Sequence, residues 1–145
     1  VVLNGPNLNM LGIQQPEIYG HETYEDLKAM IQQEADSLGV RVSFFQSNHE
    51  GALVDAIQQA YFDKADGIII NPGAYTHTSI ALLDAVKAVR IPTVEVHISD
   101  PDTREEFRHT SYIRAACTAT IRGHGLAGYV EALRLLCGKE TTNPA

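Results

Sequence analysis

Gly67-Ile68-Ile69-Ile70-Asn71 is the stretch on which the fold turns. Three consecutive isoleucines without polar alternation describe a strand covered on both faces, which is the pattern of a parallel sheet. Working back from it, Asn48 is placed to cap a helix whose apolar face is Leu53, Val54, Ile57 and Tyr61. Before that helix, Val40–Gln46 alternates as a strand. Thr23-Tyr24-Glu25-Asp26 has capping-box character, and Leu27, Met30, Ile31 and Leu38 recur at helical spacing until Gly39. Val1–Asn4 reads as an opening strand rather than a leader segment. Working forward, a helix is expected over Ser79–Val89, and Pro92 introduces a strand at Thr93–His97. A fifth strand follows at roughly Ala115–Arg122, and a helix over Leu126–Leu136 closes the pattern.

Strands alternating with helices imply an α/β, doubly wound, five-stranded parallel sheet with helices on both faces. At 145 residues, the flavodoxin-like order is the natural expectation. The chain is read as a single domain, 1–138, with a polar tail at 139–145. A composition of 44% hydrophobic and 20% charged residues supplies a core without disorder bias, and no apolar run is long enough to span a membrane. The formal charge of -7 disfavours nucleic acid as a partner. The acidity is local: residues 17–66 hold ten acids and three bases, whereas the rest balances at eight and eight. An anionic ligand is therefore expected outside that stretch or at its edge. Cys117 and Cys137 have apolar surroundings and no C-x-x-C spacing, which fits small core residues and a cytoplasmic location.

Ligands of such sheets bind beyond the carboxyl ends of the strands, near the switch point. Those ends carry Asn4-Gly5-Pro6-Asn7, Asn71-Pro72-Gly73, Glu95-Val96-His97 and Gly123-His124-Gly125. The last continues to Gly128 as G-x-G-x-x-G, but only seventeen residues follow and none reads as the strand a dinucleotide site needs. Close packing of the final helix is the simpler use of these glycines. The first loop is unusual, because eighteen residues separate the opening strand from the first helix, which suggests a lid. It offers asparagines, glycines and Tyr19, and Tyr19 by itself reads more readily as an anchor than as a base. Glu95 and His97 share a strand face, so the carboxylate can orient the imidazole and favour its protonated form. His77 precedes a helix cap whose amides could receive an anion. Arg104 and Arg108, four residues apart, could face the same way, with Arg108 binding a carboxylate or hydroxyl, while Glu105 and Glu106 could form surface pairs. His77, His97 and Glu95 lack compact metal-ligand spacing, so no metal is expected.

Together, Asn4–Gly12, Pro16–Gly20, Gln46-Ser47-Asn48, Asn71–Ser79, Glu95–Ser99 and Arg104–Tyr112 resemble the type II 3-dehydroquinate dehydratases, over nearly the whole chain. The resemblance implies a cofactor-free and metal-free lyase of the shikimate or quinate pathway, usually a dodecamer of four trimers. It would remove water from 3-dehydroquinate to give 3-dehydroshikimate. Tyr19 would match the base, Asn7 the holder of a water on the enolate, and His97, oriented by Glu95, the acid for the departing hydroxyl. Asn71, His77, Arg108 and the amides of Ile98 and Ser99 would match substrate contacts. Asp84 would match an aspartate reaching a neighbouring subunit's site.

One position departs from the family. An arginine stands in the family's lid five residues before the tyrosine, and here the residue is Gln14. A phenol with a pKa near 10 is only about one part in a thousand ionised at neutral pH, a penalty of roughly 4 kcal/mol. Without the lid cation, Arg104 would have to act with less help and turnover would be impaired. The chain is then an Arg→Gln variant, a slow natural enzyme, or one in which another cation substitutes. Two rival readings stand beside it: a flavin- or nucleotide-binding module using Gly123–Gly128, and a catalytically silent relative that keeps the assembly.

Overall fold

The computed structural model describes residues 1–13 and 16–138, and only the backbone of Ile18 and Tyr19. The expected tail at 139–145 lies outside the described residues. The five strands are β1 (Val2–Asn4), β2 (Phe44–Gln46), β3 (Ile68–Asn71), β4 (Thr93–His97) and β5 (Ala119–Arg122). They form one parallel sheet in the order β2-β1-β3-β4-β5. This is the flavodoxin-like order.

The helices are α1 (Pro16–Tyr19), α2 (Tyr24–Leu38), α3 (Glu50–Phe62), α4 (Ile80–Val89) and α5 (Ala127–Leu136). One apolar cluster packs Val2, Ile69, Val94 and Val96 against Leu27 and Ile31 of α2 and Tyr129 and Leu133 of α5. The other packs Leu3, Ile68 and Ile70 against Leu53 and Ile57 of α3 and Leu82 and Val86 of α4. All four residues of β3 are buried, as the unbroken isoleucine run predicts. Both cysteines are half-buried against these clusters, and burial, reinforced by Glu95, pushes the Cys117 thiol up to about 12. Among the described residues no helix is long and apolar enough to cross a membrane.

Local chemistry sets most boundaries. Thr23 caps α2 reciprocally: its Oγ1 accepts from Asp26 N–H at 3.1 Å and Asp26 returns a bond to Thr23 N–H at 2.9 Å. Ser79 caps α4 through Leu82 N–H at 3.0 Å. Four expectations need correction. The strand expected over Val40–Gln46 pairs only at Phe44–Gln46, because β1 offers just three residues of ladder. The fifth strand starts at Ala119, since Ile113–Ala116 forms a 3-10 turn. Asn48 does not cap α3: its Oδ1 accepts from Asn7 N–H and Gln46 Nε2, and His49 takes the cap position without a side-chain bond. Tyr61 is exposed, and Ala60 holds its place on the buried face of α3.

Within the long first loop, Leu8–Met10 forms a 3-10 turn and Pro16–Tyr19 the helical turn α1. Gly5 makes its approach to the β3 end workable, because a Cβ there would be driven into the Pro72 carbonyl. Gly128 has the packing role expected of it: an added Cβ would lie 3.3 Å from Ile121 Cγ2 and 3.4 Å from Val96 Cγ1.

Candidate active site

The chain reverses direction across the sheet between β1 and β3, and the carboxyl ends of β1, β3 and β4 converge there. They enclose a cavity of about 220 Å³. Asn7 enters from the β1 end, Asn71 and His77 from the β3 end, and His97, Ile98 and Ser99 from the β4 end. Arg104 and Arg108, from the segment after β4, complete its wall. Eight of the residues singled out in the sequence thus share one cavity. Of the others, Glu95 lies behind His97, and Asp84 is exposed on α4, away from this chain's cavity. Tyr19 contributes backbone to α1, while its side chain and Gln14 lie outside the described residues.

Glu95 is fully buried. Burial alone would raise its pKa. The bonded His97, the Ser111 hydroxyl and the Arg114 guanidinium overcome that and hold it below the usual carboxylate value of 4.5. Its oxygens accept from His97 Nε2 at 2.5 Å, Ser111 Oγ at 2.7 Å, Thr120 Oγ1 at 3.1 Å and Arg114 Nε at 3.5 Å. An ionised carboxylate only accepts, so Nε2 of His97 carries a proton and Nδ1 is the nitrogen left for the cavity.

His77 is held differently. Its Nδ1 lies 2.7 Å from the Thr110 carbonyl, which can only accept, so Nδ1 carries the proton and Nε2 remains as the acceptor. Burial, together with the positive charge of Arg108 and His97, keeps its pKa below 6.5. The segment after the second arginine serves both imidazoles: Thr110 fixes His77, Ser111 fixes Glu95, and Tyr112 N–H ties the segment to Thr76 O at 3.1 Å. Arg108 pairs with Glu105 at 2.6 Å, a surface-type pair that also edges the cavity. The arginines come from 3-10 turns rather than one α-helical face, so convergence on the cavity, not four-residue spacing, brings them together.

Asn7 adopts a left-handed conformation, φ 69°, stabilised by the Asn7 N–H bond to Asn48 at 3.1 Å. Sequence reading missed Ser111, Arg114, Thr120 and Tyr129. Their only signal is being polar on elements next to β4 and β3, and that carries no partner information before the chain is folded. Among the described residues, no group of three His, Cys, Asp or Glu side chains is arranged to hold a metal ion.

Fold and site together define a flavodoxin-like α/β domain whose switch point holds a cleft lined by two histidines and two arginines, with a buried carboxylate behind one histidine, rather than a hydroxyl-rich flavin-phosphate loop. Residues 1–137 match the profile of the family described as Dehydroquinase class II. A 3-dehydroquinate dehydratase from Caldicellulosiruptor bescii is 58% identical over 136 residues, spanning 94% of this chain and 94% of its own. The crystal structure of a type II dehydroquinase from Butyrivibrio crossotus matches with a TM-score of 0.92 at 53% identity, covering 93% of this chain and 94% of that one. A 3-dehydroquinate dehydratase-like protein from Bifidobacterium longum is more distant, with a TM-score of 0.70 at 31% identity over 94% and 93% of the two chains. The chain belongs to the class II dehydroquinases.

Proposed function

We propose that this protein is a 3-dehydroquinate dehydratase that eliminates water in the anti sense through an enolate. Supporting this most directly is the buried Glu95–His97 pair, whose free Nδ1 opens onto a cavity walled by Arg104, Arg108, His77 and Asn71. In the proposed sequence, Tyr19 abstracts a proton alpha to the ketone, leaving an enolate on oxygen. A water held by Asn7 hydrogen-bonds that oxygen. Collapse of the enolate expels the β-hydroxyl, which leaves as water after taking the Nδ1 proton of His97. The Glu95 carboxylate stabilises the imidazolium before transfer and holds the ring afterwards. Arg108 and the amides of Ile98 and Ser99 would receive the carboxylate, while Asn71 and the neutral His77 would bind hydroxyls. These steps ask nothing of a metal or cofactor.

The lid chemistry is the costly part. Arg104 would supply positive charge near the tyrosinate, but Gln14 carries none where the family has arginine. Loss of a positioned electrostatic donor costs on the order of 2.7–4 kcal/mol, about a hundred- to a thousandfold in rate. Turnover of this chain is therefore proposed to be impaired while ligand binding survives. Asp84, exposed on α4, fits the role of reaching a neighbouring subunit's site in a trimer-based dodecamer. A cytoplasmic pathway enzyme without nucleic-acid or membrane partners completes the reading.

The test follows growth of the conjugated enone absorbance on adding 3-dehydroquinate to this chain and to Gln14→Arg. Turnover that disappears in Tyr19→Phe and rises about a hundred- to a thousandfold in Gln14→Arg is expected. Equal kcat values would overturn the role given to Gln14. Absence of turnover in both chains would overturn the dehydratase reading.

A further inference from the structure

Beneath the cavity a chain of buried polar groups runs from the β3 turn to α5 and back to β1. Asn4 and Asn71 are register partners on β1 and β3, both on the α5 side of the sheet, and both are buried. Tyr129, fully buried on α5, bridges them: its Oη lies 2.6 Å from Asn4 Oδ1 and 3.0 Å from Asn71 Nδ2. Asn71 Oδ1 in turn accepts from Gly73 N–H at 3.1 Å.

The direction of these bonds is decided by one group that cannot be reversed. A backbone N–H only donates, so the atom of Asn71 facing Gly73 must be its oxygen. The other terminal atom, facing Tyr129, is therefore the nitrogen, and Oη accepts from it. A phenol has one proton, and its remaining partner is Asn4, so that proton goes to Asn4 Oδ1. Burial raises the Tyr129 pKa well above its ordinary value of 10, so this proton stays in place across the neutral range. Nδ2 of Asn4 makes no well-formed bond among the described residues, although the Tyr24 phenol lies close enough to feel it.

We infer that Tyr129, from outside the cavity, is a positioning residue: Gly73 N–H sets the sense of the Asn71 carboxamide, and Tyr129 holds it in place by taking one Nδ2–H, so that the other can face bound ligand. With one Nδ2–H given to Tyr129 and Oδ1 engaged by Gly73 N–H, the second Nδ2–H is the one donor the Asn71 side chain has left. A ligand that takes this donor brings an acceptor, a hydroxyl or carbonyl oxygen. The consequence for turnover rests on the dehydratase reading, whereas the positioning itself does not.

Tyr129→Phe removes the hydroxyl and keeps the ring. In the ligand-free, 15N-labelled protein, the Asn71 side-chain amide protons should exchange slowly with water in the parent and faster in the variant. With 3-dehydroquinate, KM should rise about three- to tenfold, the worth of one hydrogen bond, while kcat changes less than about twofold. A merely structural role would instead lower the active fraction, and with it apparent kcat, at unchanged KM. Should Tyr129→Phe not fold, Asn4→Leu carries the same test: the tyrosine stays packed, but its hydroxyl loses the acceptor that holds it in place to receive Asn71 Nδ2–H. Either folded variant with unchanged amide exchange and unchanged KM overturns the inference. If neither this chain nor Gln14→Arg shows turnover, the dehydratase reading fails, and the exchange measurement alone decides the inference about Tyr129.

Discussion

β3 and β4 lie side by side at the centre of the sheet and every residue of both is buried, yet they do opposite work. β3 spends its burial on three isoleucines, each worth about 1.5–3 kcal/mol when removed from water, and keeps a single polar group, Asn71, for its end. β4 places Glu95 and His97 at the same depth, where an unpaired charge would be costly. Four donors around Glu95 make that tolerable, and Ser111, Arg114 and Thr120 all come from the chain after β4. Equal burial therefore conceals different energetics: one strand stabilises by itself, and the other is tolerated only inside a network that also orients the His97 imidazole.

The sharpest way to break this comparison is to remove the imidazole. His97→Gln should lower kcat by about 10²- to 10⁴-fold, the usual worth of a general acid, with far-UV circular dichroism unchanged. Ile70→Ala should do the reverse. It should cost about 2–5 kcal/mol of stability in denaturant titrations, while the folded fraction keeps its kcat. If Ile70→Ala lowered kcat of the folded protein as strongly as His97→Gln, the division of labour would be wrong.

Acid should expose the contrast without mutation. Glu95 has a folded pKa below 4.5, so its stabilising contribution is complete above that value and is lost as pH falls through the lower folded one. His77, also below its ordinary 6.5, resists protonation when folded, and the unfolded chain binds the extra proton from 6.5 downward. Both effects have the same sign, so thermal stability should fall on acidification below about pH 6.5. His77→Gln should flatten the upper part of that decline, and an unchanged profile would remove His77 from the account. The smallest effect expected is that of Thr23→Ala, about 1 kcal/mol of stability from the lost cap of α2, with no change in KM.

Much of this was readable from the chain because it depends on near neighbours. The β4 strand has the bounds Thr93–His97 that Pro92 and the β-branched run suggest, and the reciprocal cap at Thr23 sits where the motif lies. Tertiary partners decided the remainder. Val40 and Val42 keep the strand alternation and pack on the core, but they have no β1 residue to pair with. Asn48 has a good capping side chain, yet the Asn7 amide and the Gln46 side chain claim it first.

The sequence by itself determined the α/β class, the strand order expected at this length, and a set of polar residues at strand ends. Hydrophobic period and capping chemistry act over a few residues and are written locally. Only the tertiary structure decided which of those polar residues meet, which nitrogen of each histidine faces the cavity, and that Tyr129 on the last helix fixes an asparagine of the third strand. Hydrogen-bond direction depends on partners up to 125 residues apart, as Tyr129 and Asn4 are, and no local pattern encodes them.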